Sequence, residues 1–138
     1  MSLLRGHVAI VDDDQGTRRA LSRLLEAAGF RSTTYSSAEE YLESRDRPEA
    51  DCLVLDVHLG GISGFDLRER LAASGPVPPV IFITAHEVPA YPALAAAGGA
   101  QLLLKPIPRG ELVSAVQRAL PPSEPEAGES PPAGPIRV

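Results

Sequence analysis

The sequence predicts an α/β fold, a doubly wound five-stranded parallel sheet with helices on both faces, and three observations lead there. Short apolar runs, of the kind that form strands buried on both faces, alternate with stretches whose apolar residues recur at helical spacing. The connections between them are short, which suits right-handed crossovers packed on a parallel sheet. Four of the runs also end on residues that carry chemistry: His7-Val8-Ala9-Ile10-Val11 stops at Asp12-Asp13-Asp14, Cys52-Leu53-Val54-Leu55 at Asp56, Val80-Ile81-Phe82-Ile83 at Thr84, and Leu102-Leu103-Leu104 at Lys105. The carboxyl ends of parallel strands share one edge, where open α/β sheets bind ligands.

Each element has its own local justification. After the first strand and its acidic turn, residues 18–28 place Leu21, Leu24, Leu25 and Ala28 on one helical face, and Gly29 supplies a stop. Residues 31–35 form a short β-prone second strand, and Ser37-Ala38-Glu39-Glu40 reads as a capping box opening a helix through Leu42. The third strand spans residues 51–55. A helix over 64–73 follows, with Phe65, Leu67 and Leu71 as candidate buried positions, and Gly75-Pro76 breaks it. After the strand ending at Thr84, Pro89, Pro92 and the Ala-rich run to Ala97 predict a short helix with Pro92 in its first turn, ended by Gly98-Gly99. Pro108 opens the last helix, where Leu112, Val116, Ala119 and Leu120 share a face.

Composition sets the outer bounds. A chain of 138 residues with 43% hydrophobic content builds one domain with a real core. Residues 1–120 are assigned to that domain, and 121–138, rich in Pro, Glu and Gly, to a disordered tail or linker. The formal charge of −5 and the scattered basic residues argue against direct nucleic-acid binding. A cytoplasmic protein without a membrane partner is expected, since no apolar stretch approaches a span and the N-terminus lacks a signal-peptide pattern. The single cysteine, Cys52, lies inside an apolar run and reads as core. Residues 88–104 contain no charged side chain, which points to an exposed, weakly polar patch and a possible homodimer face.

The converging residues define a chemistry. Asp12, Asp13 and Asp56 would repel one another unless a cation sits among them, and an all-oxygen set favours a hard ion such as Mg²⁺. Asp56 then reads as a nucleophile toward phosphorus, because aspartyl phosphates are an established type of covalent intermediate. Phosphoryl transfer rests on positioning and charge neutralisation, which Thr84 and Lys105 would complete. Twelve of the thirteen basic residues are Arg, so the lone Lys105 marks a place where a compact ammonium serves and a planar fork does not. Asp14 reads as a helix cap.

The sequence resembles the receiver domains of two-component response regulators, in the flavodoxin-like, CheY-like superfamily. The matching pieces are V-D-D-D at 11–14, L-V-L-D-V-H-L-G-G-I-S-G at 53–64, I-F-I-T-A-H at 81–86 and L-L-L-K-P at 102–106, and the flavour is that of nitrogen-fixation and nodulation (FixJ-like) regulators. The resemblance implies that Asp56 accepts a phosphoryl group from a sensor histidine kinase or phosphotransfer protein. It also implies that Asp13 ligates Mg²⁺ directly, Asp12 largely through water, and the main-chain carbonyl of His58 completes the set. By the same carry-over Thr84 and Lys105 contact the phosphoryl group, and Lys105-Pro106 is a cis bond. Such a module is not a turnover enzyme; it catalyses only its own phosphorylation and slow dephosphorylation.

Four departures from the family pattern stand out. Leu102 occupies the position of the family's switch aromatic, and the segment from Thr84 to Lys105 is one residue shorter, with Pro92 stiffening the fourth helix. Leu59-Gly60 replaces a Met-Pro pair, loosening the loop. His58 and His86 both rim the pocket and are expected to tune the lifetime of an aspartyl phosphate. Leu102 and the shortened segment carry the alternative reading, a divergent receiver acting as a phosphorylation-independent protein-binding module. An enzyme of the haloacid-dehalogenase type is disfavoured because Asp12-x-Asp14 is followed by Gln15-Gly16, and no G-x-x-x-x-G-K loop supports a nucleotide-dependent kinase.

Overall fold

The strand order decides where the chemistry collects. A computed structural model describes residues 6–44 and 46–120; the expected tail from residue 121 lies outside the described residues. Its elements follow in the order β1 (His7–Val11), α1 (Gln15–Ala27), β2 (Arg31–Tyr35), α2 (Ala38–Glu43), β3 (Cys52–Asp56), α3 (Gly64–Ser74), β4 (Val80–Thr84), α4 (Tyr91–Ala97), β5 (Gln101–Leu104) and α5 (Arg109–Ala119). The five strands are all parallel in the order β2-β1-β3-β4-β5, so the direction of winding reverses at β1 and β3. The crevice at such a switch point opens above the ends of those two strands, where Asp12 and Asp56 stand.

Period-2 alternation along the strands separates two cores. Val8, Ile10, Cys52, Val54, Ile81, Ile83 and Leu103 face Leu21 and Leu25 of α1 and Leu112, Ala115 and Val116 of α5. Ala9, Val11, Leu53, Leu55, Val80 and Phe82 face the opposite way, toward Ala38 and Tyr41 of α2, Leu67 of α3 and Ala95 of α4. Strands buried on both faces carry continuous apolar runs, and every residue of β1, β3 and β4 is buried. Burial in that core also pushes the Cys52 thiol up to about 12, so it is an inert packing group.

The expected boundaries hold in kind and shift where side chains cap the backbone. α1 begins at Gln15 because Asp14 caps it: Oδ2 accepts both the Thr17 N–H and the Thr17 hydroxyl, each at 2.8 Å. β3 extends through Asp56, which pairs with Ile83, while Asp51 drops out of the strand and accepts the His7 N–H at 2.8 Å. The box expected at Ser37 is half made. Ser37 Oγ accepts the Glu40 N–H at 2.9 Å, but the Glu40 carboxylate turns to the N–H and hydroxyl of Ser36. The reciprocal capping box instead opens α3, between Ser63 and Asp66. α4 begins at Tyr91, after Ala90, with no side-chain cap.

Candidate functional site

Four strand ends deliver the site. β1 runs into Asp12, whose side chain is fully buried, and β3 ends in Asp56, which is nearly so. β5 is followed by Lys105, its N–H held by the Thr84 carbonyl at 2.7 Å, and a cis peptide bond links Lys105 to Pro106. The Lys105 ammonium lies 2.9 Å from Asp12 Oδ2 and 3.0 Å from Asp56 Oδ2, so one cation serves two buried carboxylates. Asp12 Oδ1 accepts the Asp14 N–H at 2.8 Å, and Asp56 Oδ1 accepts the His58 N–H at 3.1 Å.

This arrangement is short of positive charge. Burial first, then the neighbouring Asp12 charge, push the Asp56 carboxyl up, against the opposing pull of Lys105 and the His58 N–H. Burial opposes the Lys105 charge, but its pairing with Asp12 and Asp56 outweighs it and raises its pKa. Asp12 Oδ2 is buried without a hydrogen bond; its ion pair with Lys105 lies outside hydrogen-bonding geometry. With Asp13 exposed beside it, one carboxylate oxygen from each of Asp12, Asp13 and Asp56 lies within 4.8 Å of the other two. A buried carboxylate oxygen that shares one ammonium with a second carboxylate, in a cluster of hard donors, suits a divalent cation of the Mg²⁺ class.

The following backbone packs close against Asp56. The loop after β3 folds back so closely that a Cβ at Gly64 would run into the main-chain carbonyl of Asp56, so only glycine fits there. Gly60 adopts a φ of 82° in the same loop, opposite Asp13, which is the conformation that a proline in its place could not reach. Arg18 of α1 donates from Nη1 to the Asp12 carbonyl at 2.6 Å and steadies the other wall.

Of the residues singled out from sequence, Asp12, Asp56 and Lys105 are in direct contact and Asp13 stands at the rim. Thr84 is buried at the end of β4, and its hydroxyl accepts the His86 N–H at 3.0 Å. His58 contributes its N–H to Asp56, and its ring meets the His86 ring edge-on with centroids 4.6 Å apart. Leu102 is partly buried and lines a groove of about 330 Å³ with Thr84, His86, Tyr91, Pro92 and Leu104.

Sequence reading passed over Tyr91, Arg68 and the arginines of α1. Tyr91, the first residue of α4, holds His58 Nε2 through its hydroxyl at 3.0 Å. Arg68 of α3 reaches the uncharged α4 patch and donates to the Gly98 carbonyl at 2.7 Å, so a charge does visit that face. Arg18, Arg19 and Arg23, scattered in sequence terms, line one shallow pocket on α1. Helical spacing could have signalled the arginines; only the fold brings the other two to their partners.

Comparison with known proteins agrees with this geometry. The response regulator receiver domain profile matches residues 8–117. The chain is 38% identical over 113 residues to nodulation protein W of Bradyrhizobium diazoefficiens, covering 81% of this chain and 50% of that protein. It is 31% identical over 124 residues to the transcriptional regulatory protein FixJ of the same organism, covering 89% and 60%. The response regulator TmoT of Ectopseudomonas mendocina is 35% identical over 114 residues, covering 82% and 52%. The chain thus spans about half the length of the curated relatives it matches. Among solved structures, the chemotaxis protein CheY4 of Vibrio cholerae superposes with a TM-score of 0.72 at 26% identity over 83% of this chain and 98% of that one. A response regulator from Burkholderia pseudomallei with a phosphorylated aspartic acid, calcium ion and citrate gives 0.70 at 25% identity, over 80% and 66%. Fold, buried acid–lysine cluster and sequence match lead to one conclusion: the chain belongs to the response regulator receiver domain family of two-component signalling systems.

Proposed function

We propose that this chain is a phospho-accepting receiver, in which Asp56 takes a phosphoryl group from the phosphohistidine of a sensor kinase or phosphotransfer protein. The observation that carries this reading is the sharing of Lys105 between Asp12 and Asp56 in a buried pocket. An Asp56 oxygen forms the new O–P bond as the donor's P–N bond breaks, and the proton needed by the departing imidazole comes from solvent. Lys105 meets the phosphoryl oxygens, and Thr84 donates to them once its hydroxyl proton turns from the His86 carbonyl, 3.4 Å away. Asp12, Asp13, Asp56 and the His58 carbonyl would hold Mg²⁺, which supplies the charge neutralisation that an anionic acceptor and an anionic donor require. The Burkholderia protein with its phosphorylated aspartic acid and calcium ion supports both parts of the assignment.

The folded unit is assigned to residues 1–120, with 121–138 as a tail or linker, and the output is a change in a protein-interaction face. The module's own chemistry is confined to accepting the group and losing it slowly. A cytoplasmic setting follows from a kinase donor; among the described residues no helix is long and apolar enough to cross a membrane. No nucleic-acid contact is assigned to this chain.

Intact mass after incubation with Mg²⁺ and acetyl phosphate tests the reading. The expected result is one added phosphoryl group, absent from Asp56→Ala and from a sample with the divalent ion chelated. A second reading, a phosphorylation-independent binding module, is favoured by Leu94 and Leu104, which are 51% and 41% exposed beside the aliphatic Leu102. No added mass with a folded, Mg²⁺-binding protein would select it. Homodimerisation through residues 88–104 belongs to either reading, and sedimentation of a monomer in both phosphorylation states would reject it.

A further inference from the structure

The rings around the mouth of the pocket form a connected series. His86 meets His58 edge-on, the Tyr91 hydroxyl is hydrogen-bonded to His58 Nε2, the Tyr91 ring lies 5.4 Å from Phe65, and Phe65 lies 4.5 Å from Phe82 in the core. The series starts in the loop after β4, passes through His58 two residues beyond Asp56, and ends at Phe82 in the sheet. Tyr91 is also the first residue of α4.

Two facts bear on this solvent-exposed bond. His58 is tied to the acceptor through its own main chain, its N–H donating to Asp56 Oδ1 at 3.1 Å, so a new group on Asp56 competes for that donor. α4 is lightly held: Ala95 is its buried residue, no side chain caps its start, and Arg68 secures its end at Gly98. A displacement of His58 therefore meets little resistance at the N-terminus of α4 and much at Phe65 and Phe82. Coupling between sites needs contiguous contacts and an element with two arrangements, and it acts in both directions.

We infer that the hydrogen bond between the Tyr91 hydroxyl and His58 Nε2 couples occupancy of Asp56 to the position of α4 and to the groove that α4 forms with β5. Tyr91 is a positioning residue in this scheme, acting through His58. The inference rests on Asp56 being the phospho-acceptor. It gives the chain a route to α4 that does not pass through Leu102.

The test uses the full chain and Tyr91→Phe, which removes one oxygen and leaves the ring against Phe65. Each protein is treated with Mg²⁺ and acetyl phosphate, weighed intact, and followed by amide hydrogen exchange over residues 91–97. The expected result is an added phosphoryl group in both. The parent's α4 exchange then changes about threefold to tenfold on phosphorylation, the range one net hydrogen bond moves an equilibrium, and the variant's does not. His58→Phe, which removes the other partner and keeps a ring, should show the same loss of response in whatever fraction is phosphorylated. Phosphorylation with an equal α4 response in parent and Tyr91→Phe overturns the coupling alone, as does a parent whose α4 never responds. No added mass in the parent overturns the acceptor assignment, and the coupling with it.

Discussion

The two faces of the sheet are held together differently. On one, α1 and α5 bury Leu21, Leu25, Leu112, Ala115 and Val116 against residues from β1, β3, β4 and β5. On the other, α4 presents seven residues, mostly Ala, and buries Ala95. α1 and α5 are fastened by large apolar side chains; α4, which shares its face with Tyr41 of α2 and Leu67 of α3, is held by the Ala95 methyl, the Tyr91 ring and hydroxyl, and Arg68. Elements with few buried apolar contacts open at low cost, and those that move in signalling come from that end of the range. The difference teaches that the chain can anchor the strands that carry its acidic cluster from one face while holding α4 only lightly on the other.

The largest way to sharpen this contrast is truncation in each core. Leu25→Ala should cost about 2–5 kcal/mol in urea unfolding, through lost burial and a cavity, whereas Ala95→Gly should cost only about 1 kcal/mol. Equal losses would mean that α4 is as firmly built in as α1. The seam between the faces carries the next effect, which is set by pH. The folded-state pKa of Asp56 is raised, so the stability contributed by its neutral form is present at low pH and lost as pH rises through that pKa. Without divalent cation, Asp56→Asn should therefore unfold at a higher temperature than the parent at neutral pH. The gap should close as pH falls through the carboxylate range. Adding Mg²⁺ should raise the parent's midpoint and shift the variant's less. A variant less stable than the parent at neutral pH would show that the Lys105 pairing outweighs burial and repulsion. The smallest effect is expected on the exposed side: Leu104→Ser should change stability by no more than about 0.5 kcal/mol. A larger loss would show that the groove beside α4 is covered in solution.

Much of the architecture was legible because it rests on local, repeating signals. Apolar runs marked four of the strands and a short β-prone stretch the second, and Gly29, Gly75-Pro76 and Gly98-Gly99 marked helix ends. Caps were harder to read. Ser37 and Ser63 sit in similar patterns, yet only Ser63 completes the reciprocal pair, because Glu40 finds a nearer partner in Ser36.

What the sequence by itself determined is the strand-end chemistry. Asp12, Asp13, Asp56, Thr84 and Lys105 each follow an apolar run, and parallel strands must bring such positions to one edge. What only the tertiary structure decided is which partners those groups choose: Lys105 between Asp12 and Asp56, Thr84 on the His86 backbone, Tyr91 on His58 and Arg68 over Gly98. Periodicity is a property of neighbours along the chain. A hydrogen bond between residues 33 positions apart depends on how β3, β4 and α4 pack, and on a loop that closes over Asp56 because Gly64 has no side chain to hold it off.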